Sequence, residues 1–491
     1  MPGGFYGTFM GQIQAFYYSW MGLGWGWIVI AQIFYGAWNL INDPIFSYLQ
    51  DITRRKDGRY IPWIKYSSPL FTVAFILVFF PPDTWRFQVT GGSYEIPLFF
   101  WYIITQCLFD TFFTIVYGAH TALMPQMTMD ERERTKVSIF SALMGLLGGA
   151  ASFAVPLVFL TNPTAGKIQA FRVFVIIFGI LALIPFYLAV RWIKERHEYI
   201  PEKKISFWAS LKAVFKNPSG RIYIIYDGLS VGFLNFLFTG ITFVFSWSLG
   251  INDYHAATNP NWTFWNLIPY LIGPLVALAL GVYFSLKIPN SFGKDIKTAL
   301  WFMMVMVAIG MFIAFLGVLP NPNAPPDEYW LPDKLWLFSI GFSIAAFGLP
   351  GEFIYHNPMR AETIDYDEYV TGERREAIYA GVGCIFSKPM ISVALAGVPA
   401  IIGIFGLVPA DPTDPVGAAL VVSTTFNQAI TGVAVACFLV PSILAAICAV
   451  IWYWYPLGRK KMNEIRAALE KIHDEKRKLR LDDEGVSKFV L

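Results

Sequence analysis

The chain has 491 residues, of which 56% are hydrophobic and only 14% charged, and its formal net charge is +3. Soluble chains average about 25% charged residues, and a mean hydropathy of +0.50 over this length is more apolar surface than a water-soluble core can hide. Apolar runs recur at the roughly 20 residues that cross a bilayer, which excludes a large soluble all-α protein and predicts a polytopic, all-α membrane protein.

Hydropathy predicts about twelve spans, near residues 4–21, 24–49, 63–82, 96–119, 137–161, 168–193, 221–250, 264–288, 297–319, 333–357, 376–408 and 420–456. The first is short and begins almost at Met1, so its start lies upstream or the helix is abbreviated. Met1-Pro2-Gly3-Gly4 lacks the basic stretch of a secretory signal, which leaves the first span as the membrane-targeting signal. Cys107, Cys384, Cys437 and Cys448 fall in apolar segments and read as small hydrophobes.

The connections alternate. One set is basic: Arg54, Arg55, Lys56 and Arg59; Arg132, Arg134 and Lys136; Lys194, Arg196, Lys203 and Lys204; Lys287, Lys294 and Lys297; Arg374 and Arg375; Arg459, Lys460 and Lys461. The other set is rich in Pro, Asn and Asp, as in 320–327 and 409–415. The positive-inside rule places the basic set, and with it both termini, in the cytoplasm of a multi-pass cell-membrane protein. The basic connection 194–220 divides the spans six and six, giving bundles over 1–193 and 221–456. That organisation suits a transporter with its site between two pseudo-symmetric halves. In the charged tail 457–491, Met462, Ile465, Leu469 and Ile472 recur at helical spacing. They predict a cytoplasmic amphipathic helix on the bundle or the lipid headgroups, or a solvated helix.

Chemistry concentrates in the second span. Asn39, Asn42 and Asp43 stand at i, i+3 and i+4, so a helix puts them on one face. An ionisable group inside a membrane is costly and marks a partner or a task. Pro44 has no amide hydrogen and frees a carbonyl one turn earlier. The result is an oxygen-rich pocket for a hard cation such as Na⁺, or a carboxylate for a proton. A structural assignment, with both asparagines bonding neighbouring helices and Asp43 paired to a buried base, fits the same residues.

Behind this face comes the tight basic turn Asp51-Ile52-Thr53-Arg54-Arg55-Lys56-Asp57-Gly58-Arg59-Tyr60-Ile61-Pro62-Trp63. Met124-Pro125 with 130–134, Glu362-Thr363-Ile364-Asp365-Tyr366 with 372–379, and Lys388 in the eleventh span add to the pattern. Together they resemble the glycoside–pentoside–hexuronide:cation symporters, a branch of the major facilitator superfamily, over nearly the whole chain except the first span. The resemblance implies a major facilitator fold and Na⁺-, Li⁺- or H⁺-coupled symport of a small organic solute, a sugar or glycoside, by alternating access. It implies a cation site at Asn39, Asn42, Asp43 and Thr114, with Asn39 standing where the family has a second aspartate, so that one carboxylate remains. It gives Lys388 a coupling role, tying Asp43 when no cation is bound; a lysine snorkelling at a helix end is the plainer alternative. It also implies a cytoplasmic gate of Arg134, Glu362 and Arg374, which read otherwise as ordinary surface charges.

The family's sugar-binding carboxylate of the fourth span is replaced by Tyr117, and its arginine of the fifth by Ala142. Tyr117, His120 and Trp247 remain as aromatic partners for a solute, and Asp110 and Asp227 are further acids inside apolar runs. A lysolipid or other amphiphile symporter of the same branch is therefore the alternative, ahead of a channel or a membrane-embedded enzyme. No catalytic constellation and no Gly-Lys-Ser/Thr phosphate loop is present. The expected partners are the solute, the Na⁺ or H⁺ cation and the bilayer, with no cofactor and no nucleic acid, for a monomer.

Overall fold

The computed structural model describes residues 6, 9–53, 55, 58, 60–127, 155–192, 215–259, 261–291, 296–325, 328–371, 376–410, 420–469 and 471. The chain is helical. Residues 9–21 form α1, which ends in a π-helical stretch, Ala15–Met21, and closes on Gly22 at φ 74°. Then come α2 (Trp25–Ile52), α3 (Ile61–Val78), α4 (Glu95–Met127), α5 (Ala165–Trp192), α6 (Pro218–Phe243), α7 (Ile268–Ser291), α8 (Ile296–Val318), α9 (Leu335–Thr371) and α10 (Glu376–Ile404). The chain continues in α11 (Phe426–Tyr453), with a π-helical middle at Val435–Leu439, and α12 (459–469).

Among the described residues nine helices are long and apolar enough to cross a membrane. They match nine of the predicted spans. α2 has the length, 28 residues, but Gln32, Asn39, Asn42, Asp43 and Gln50 lower its hydropathy. Most of the predicted fifth span and of the linker 194–220 lies outside the described residues. Two features depart from the sequence reading. The tenth span does not stop near 357: α9 runs 37 residues, so Glu362–Tyr366, expected in a loop, is helical. The connection between α10 and α11 carries an antiparallel pair, β1 (Leu407–Pro409) and β2 (Leu420–Val422), in register Leu407 to Val422.

Local chemistry sets the helix ends. Asn217 caps α6, its Oδ1 accepting from the amides of Ser219 (3.0 Å) and Gly220 (3.2 Å), with Pro218 in the first turn. Two packed groups result. α2 packs on α4, α3 on α4 and α5; α6, α8, α9, α10 and α11 form the second group, with α7 on α9. α8 and α9 touch backbone to backbone: a Cβ on Gly310 would overlap the Ala345 amide nitrogen, and one on Gly341 the Ala314 nitrogen. Small residues allow this approach where lipid supplies no hydrophobic drive between helices.

The groups meet along α2 and α10. Gly36 faces Ser392 there, and Gly403 receives the Trp25 indole. At the end away from the basic connections, the Tyr18 hydroxyl donates to the Leu407 carbonyl at 2.5 Å and Gln12 Nε2 to that of Phe238. At the other end α12 buries Met462, Ile465 and Leu469 in the common core, so the described part of the amphipathic tail lies on the bundle, while Ile472 lies outside the described residues.

Candidate cation site between the helix groups

A polar seam joins α2 to α4. On α4, Tyr102, Gln106, Asp110 and Thr114 follow each other every fourth residue and share a face. Gln32 Nε2 donates to the Tyr102 hydroxyl (2.6 Å) and to Gln106 Oε1 (3.0 Å), and the Tyr35 hydroxyl to Asp110 Oδ1 (3.2 Å). Asn42 Nδ2 donates to Asp110 Oδ2 at 2.9 Å and to Thr114 Oγ1 at 3.3 Å. Thr114 Oγ1 in turn donates to Asp43 Oδ1 at 2.7 Å. Each bond satisfies a group that would otherwise cost several kcal/mol in hydrocarbon.

Into this oxygen cluster reaches Lys388 from α10. Its Nζ donates to Asp43 Oδ1 at 2.6 Å and to Asn39 Oδ1 at 3.0 Å, and stands 3.8 Å from Asp110 Oδ1. Asp43 and Lys388 are about one-fifth exposed, so the pair is screened little and remains reachable. The cluster therefore holds two carboxylates, not one. Asp110 supplies the negative charge that Asn39 lacks, from a position the resemblance did not mark. The four-residue periodicity Tyr102–Thr114 was the sequence signal for it.

The arrangement suits a cation. Asp43, Asp110, Asn39, Asn42 and Thr114 offer side-chain oxygens, and Asn42 Oδ1 is buried with no hydrogen-bond partner. Carbonyl and carboxylate oxygens of this kind are the ligands a hard cation takes. The ammonium of Lys388 occupies the neighbourhood as a tethered positive charge. The Pro44 side chain is outside the described set, and the freed carbonyl expected from it is not part of this geometry.

Of the aromatic residues expected at a solute site, Tyr117 and His120 stack on each other at 6.4 Å, and Trp247 lies apart from them. Tyr117 stacks on Phe113 at 5.0 Å, and His120 packs against Phe186 of α5 at 6.0 Å, near the end of α4 by the basic connections. Trp247 sits beyond the far end of α6, in the π-helical Val244–Ser248, against Tyr254 and Tyr329. It lines a small, partly open pocket with Ser19, Thr161, Thr242 and Asn252. Span direction alone separates them, because α4 and α6 run oppositely through the bundle. Of the expected gate, Arg134 and Arg374 lie outside the described residues, and Glu362 Oε1 accepts from Arg466 of α12 at 3.0 Å.

A family model described as MFS/sugar transport protein matches residues 2–459. An uncharacterized symporter of Bacillus subtilis, YjmB, is 26% identical over 443 residues, 87% of this chain and 83% of that protein. The mouse sodium-dependent lysophosphatidylcholine symporter 1 is 28% identical over 120 residues, a match spanning 24% of this chain and only 22% of that protein. Among solved structures, the xylose transporter XylE of E. coli superposes with a TM-score of 0.53 at 14% identity, covering 94% of this chain and 96% of that one. With the family match running almost end to end over this helical architecture, the chain belongs to the MFS/sugar transport protein family, and is a membrane transporter of major facilitator fold rather than an enzyme.

Proposed function

We propose that the chain is a cation-coupled symporter in which Asp43, Asp110, Asn39, Asn42 and Thr114 bind Na⁺ and Lys388 is the internal competitor for the same oxygens. The observation that carries this reading is the Lys388 ammonium, 2.6 Å from Asp43 and 3.8 Å from Asp110, bridging helices of the two groups. Two carboxylates and one ammonium leave one negative charge. A monovalent cation that takes the place of the ammonium keeps that balance and frees the lysine, and the tie between α2 and α10 loosens. That is a two-state element biased by the ion, which coupling requires. The buried, unpartnered Asn42 oxygen favours Na⁺ over a bare proton, since a proton needs one carboxylate only. The relative in mouse named as sodium-dependent is in keeping with this choice.

The solute class follows the family: a sugar or glycoside, moved by alternating access in the plasma membrane with both termini inside. An amphiphile such as a lysolipid is the second reading. It draws on the same mouse relative and on Tyr117, an aromatic ring where a sugar-binding carboxylate is expected. The deciding experiment is uptake into proteoliposomes by a panel of sugars, glycosides and lysolipids, with Na⁺ and pH gradients imposed separately. Sugar accumulation driven by the Na⁺ gradient and lost in D43N supports the proposal. Equal accumulation with the Na⁺ gradient collapsed overturns it.

A further inference from the structure

A second cluster of ionisable side chains lies in the other helix group and takes no part in the cation site. His356 of α9 is bracketed by two carboxylates. Its Nε2 is 3.0 Å from Asp227 Oδ1 of α6, and its Nδ1 is 3.0 Å from Glu352 Oε1, one turn back on α9. Tyr226 donates its hydroxyl to the other Glu352 oxygen, and the Tyr223 hydroxyl stands 3.0 Å from His356 Nε2. Glu352 is 5% exposed, Asp227 14% and His356 22%, so the acids are shielded while part of the ring stays accessible.

The chemistry of an imidazole makes this arrangement specific. A neutral ring has one N–H and can satisfy one carboxylate; only the protonated ring donates from both nitrogens. Charge points the same way, because two carboxylates in a membrane need a counter-charge. Tyr223 supplies the alternative. When Nε2 has lost its proton to water, the phenol O–H can donate to the bare nitrogen, so the deprotonated state also has a complete bond. One ring nitrogen with an acceptor for its protonated form and a donor for its neutral form is a proton store. Among the described residues, the other charged or titratable groups near this cluster include Arg360 on α9, Cys384 and Lys388 on α10, Cys448 on α11 and Tyr455 beyond it.

We propose that His356, held between Asp227 and Glu352, is a proton-binding site distinct from the cation site, and that it loads and releases a proton during the transport cycle. Its place in the fold gives it leverage. Asp227 Oδ2 lies against α10, 3.3 Å from where a Cβ on Gly383 would stand, five residues before Lys388. Loading the site changes the charge beside the helix that carries the coupling lysine. The inference goes beyond the Na⁺ reading and does not depend on it.

The experiment needs no identified solute. Proteoliposomes on a solid-supported membrane receive a pH jump without Na⁺ or substrate, and the transient charge displacement is recorded. The wild-type protein gives a displacement, and D43N, which disables the cation site, keeps it. H356Q, eluting as a monodisperse peak, falls to the level of empty liposomes. D227N keeps the ring and shifts the pH of half-maximal charge by about one unit or more, because an opposite charge at hydrogen-bond distance is removed. A full displacement in H356Q, an unshifted D227N, or loss of the signal in D43N alone would each overturn the proposal. The last result would assign the proton to Asp43 and leave the Na⁺ reading to be judged by the uptake panel.

Discussion

Replacing Lys388 with methionine isolates the tether between α2 and α10. Methionine keeps the length and apolar bulk of the stem and removes the charge. A unit charge about 4 Å from a carboxylate interacts by roughly 4 kcal/mol at an effective dielectric constant of about 20. Lys388 faces two such carboxylates, at 2.6 and 3.8 Å. On the proposed mechanism a cation that binds in the wild type must first displace the ammonium, which recovers much of its attraction in water. The net competition is then about 1–3 kcal/mol, typical of coupled sites and equal to roughly 5–150-fold in affinity. Without the lysine, two acids are left facing one another, and breaking a buried pair costs about 3–5 kcal/mol. One-fifth exposure of both partners places this case at the low end. The assay is thermal unfolding of the purified protein in NaCl against choline chloride at equal ionic strength. K388M is expected to melt lower in choline, to regain stability in Na⁺, and to bind Na⁺ about tenfold or more tightly. Stabilisation by ligand follows the logarithm of its concentration over Kd, so the salt titration reads the affinity directly. If K388M and wild type show the same Na⁺ midpoint, the lysine does not compete for the site and the reasoning fails.

Four further outcomes follow from the geometry. D110N removes one of the two carboxylates and is expected to weaken Na⁺ stabilisation about tenfold or more; an unchanged Na⁺ titration would remove Asp110 from the site. G310L forces a side chain into the Ala345 backbone and should cost about 1–3 kcal/mol through overpacking; an unaltered Tm would mean that α8 and α9 do not pack as described. R466A breaks the Glu362 contact, but Arg466 is 55% exposed, so the loss in stability should stay below about 1 kcal/mol; a larger drop in Tm would make the α12 contact a structural anchor. His255, in the connection between α6 and α7, has its pKa held below the ordinary 6.5 by burial. Folding favours the neutral ring, so its contribution is complete above pH 6.5 and is lost as pH falls below that value toward the lower native one. H255N should therefore flatten part of the decline in Tm between about pH 7.5 and about 5.5, and an unchanged slope would refute the assignment.

The membrane-spanning class, the order of the spans and the polar face of α2 were legible in the sequence, because hydropathy and helical period are local properties. Asn39, Asn42 and Asp43 fall on one face whatever surrounds them, and the apolar runs leave no other environment for most helices. The same locality explains what was missed. The extension of α9 to Thr371 depends on packing beyond the apolar run, which hydropathy does not weigh. Whether Asp110 meets Asn42 or lipid depends on the rotation and depth of α4 against α2, set by the whole ladder from Tyr102 to Thr114. Trp247 reads like Tyr117 in a list of aromatics, yet it packs near the opposite end of the bundle. The meeting of Lys388 with Asp43 spans 345 positions, and that of His356 with Asp227 joins α9 to α6. The amino-acid sequence by itself determined which groups could not stay alone in a bilayer. Only the tertiary structure decided their partners, because a buried charge is stabilised by whatever lies within a few ångströms, and helix packing brings those groups together from distant parts of the chain.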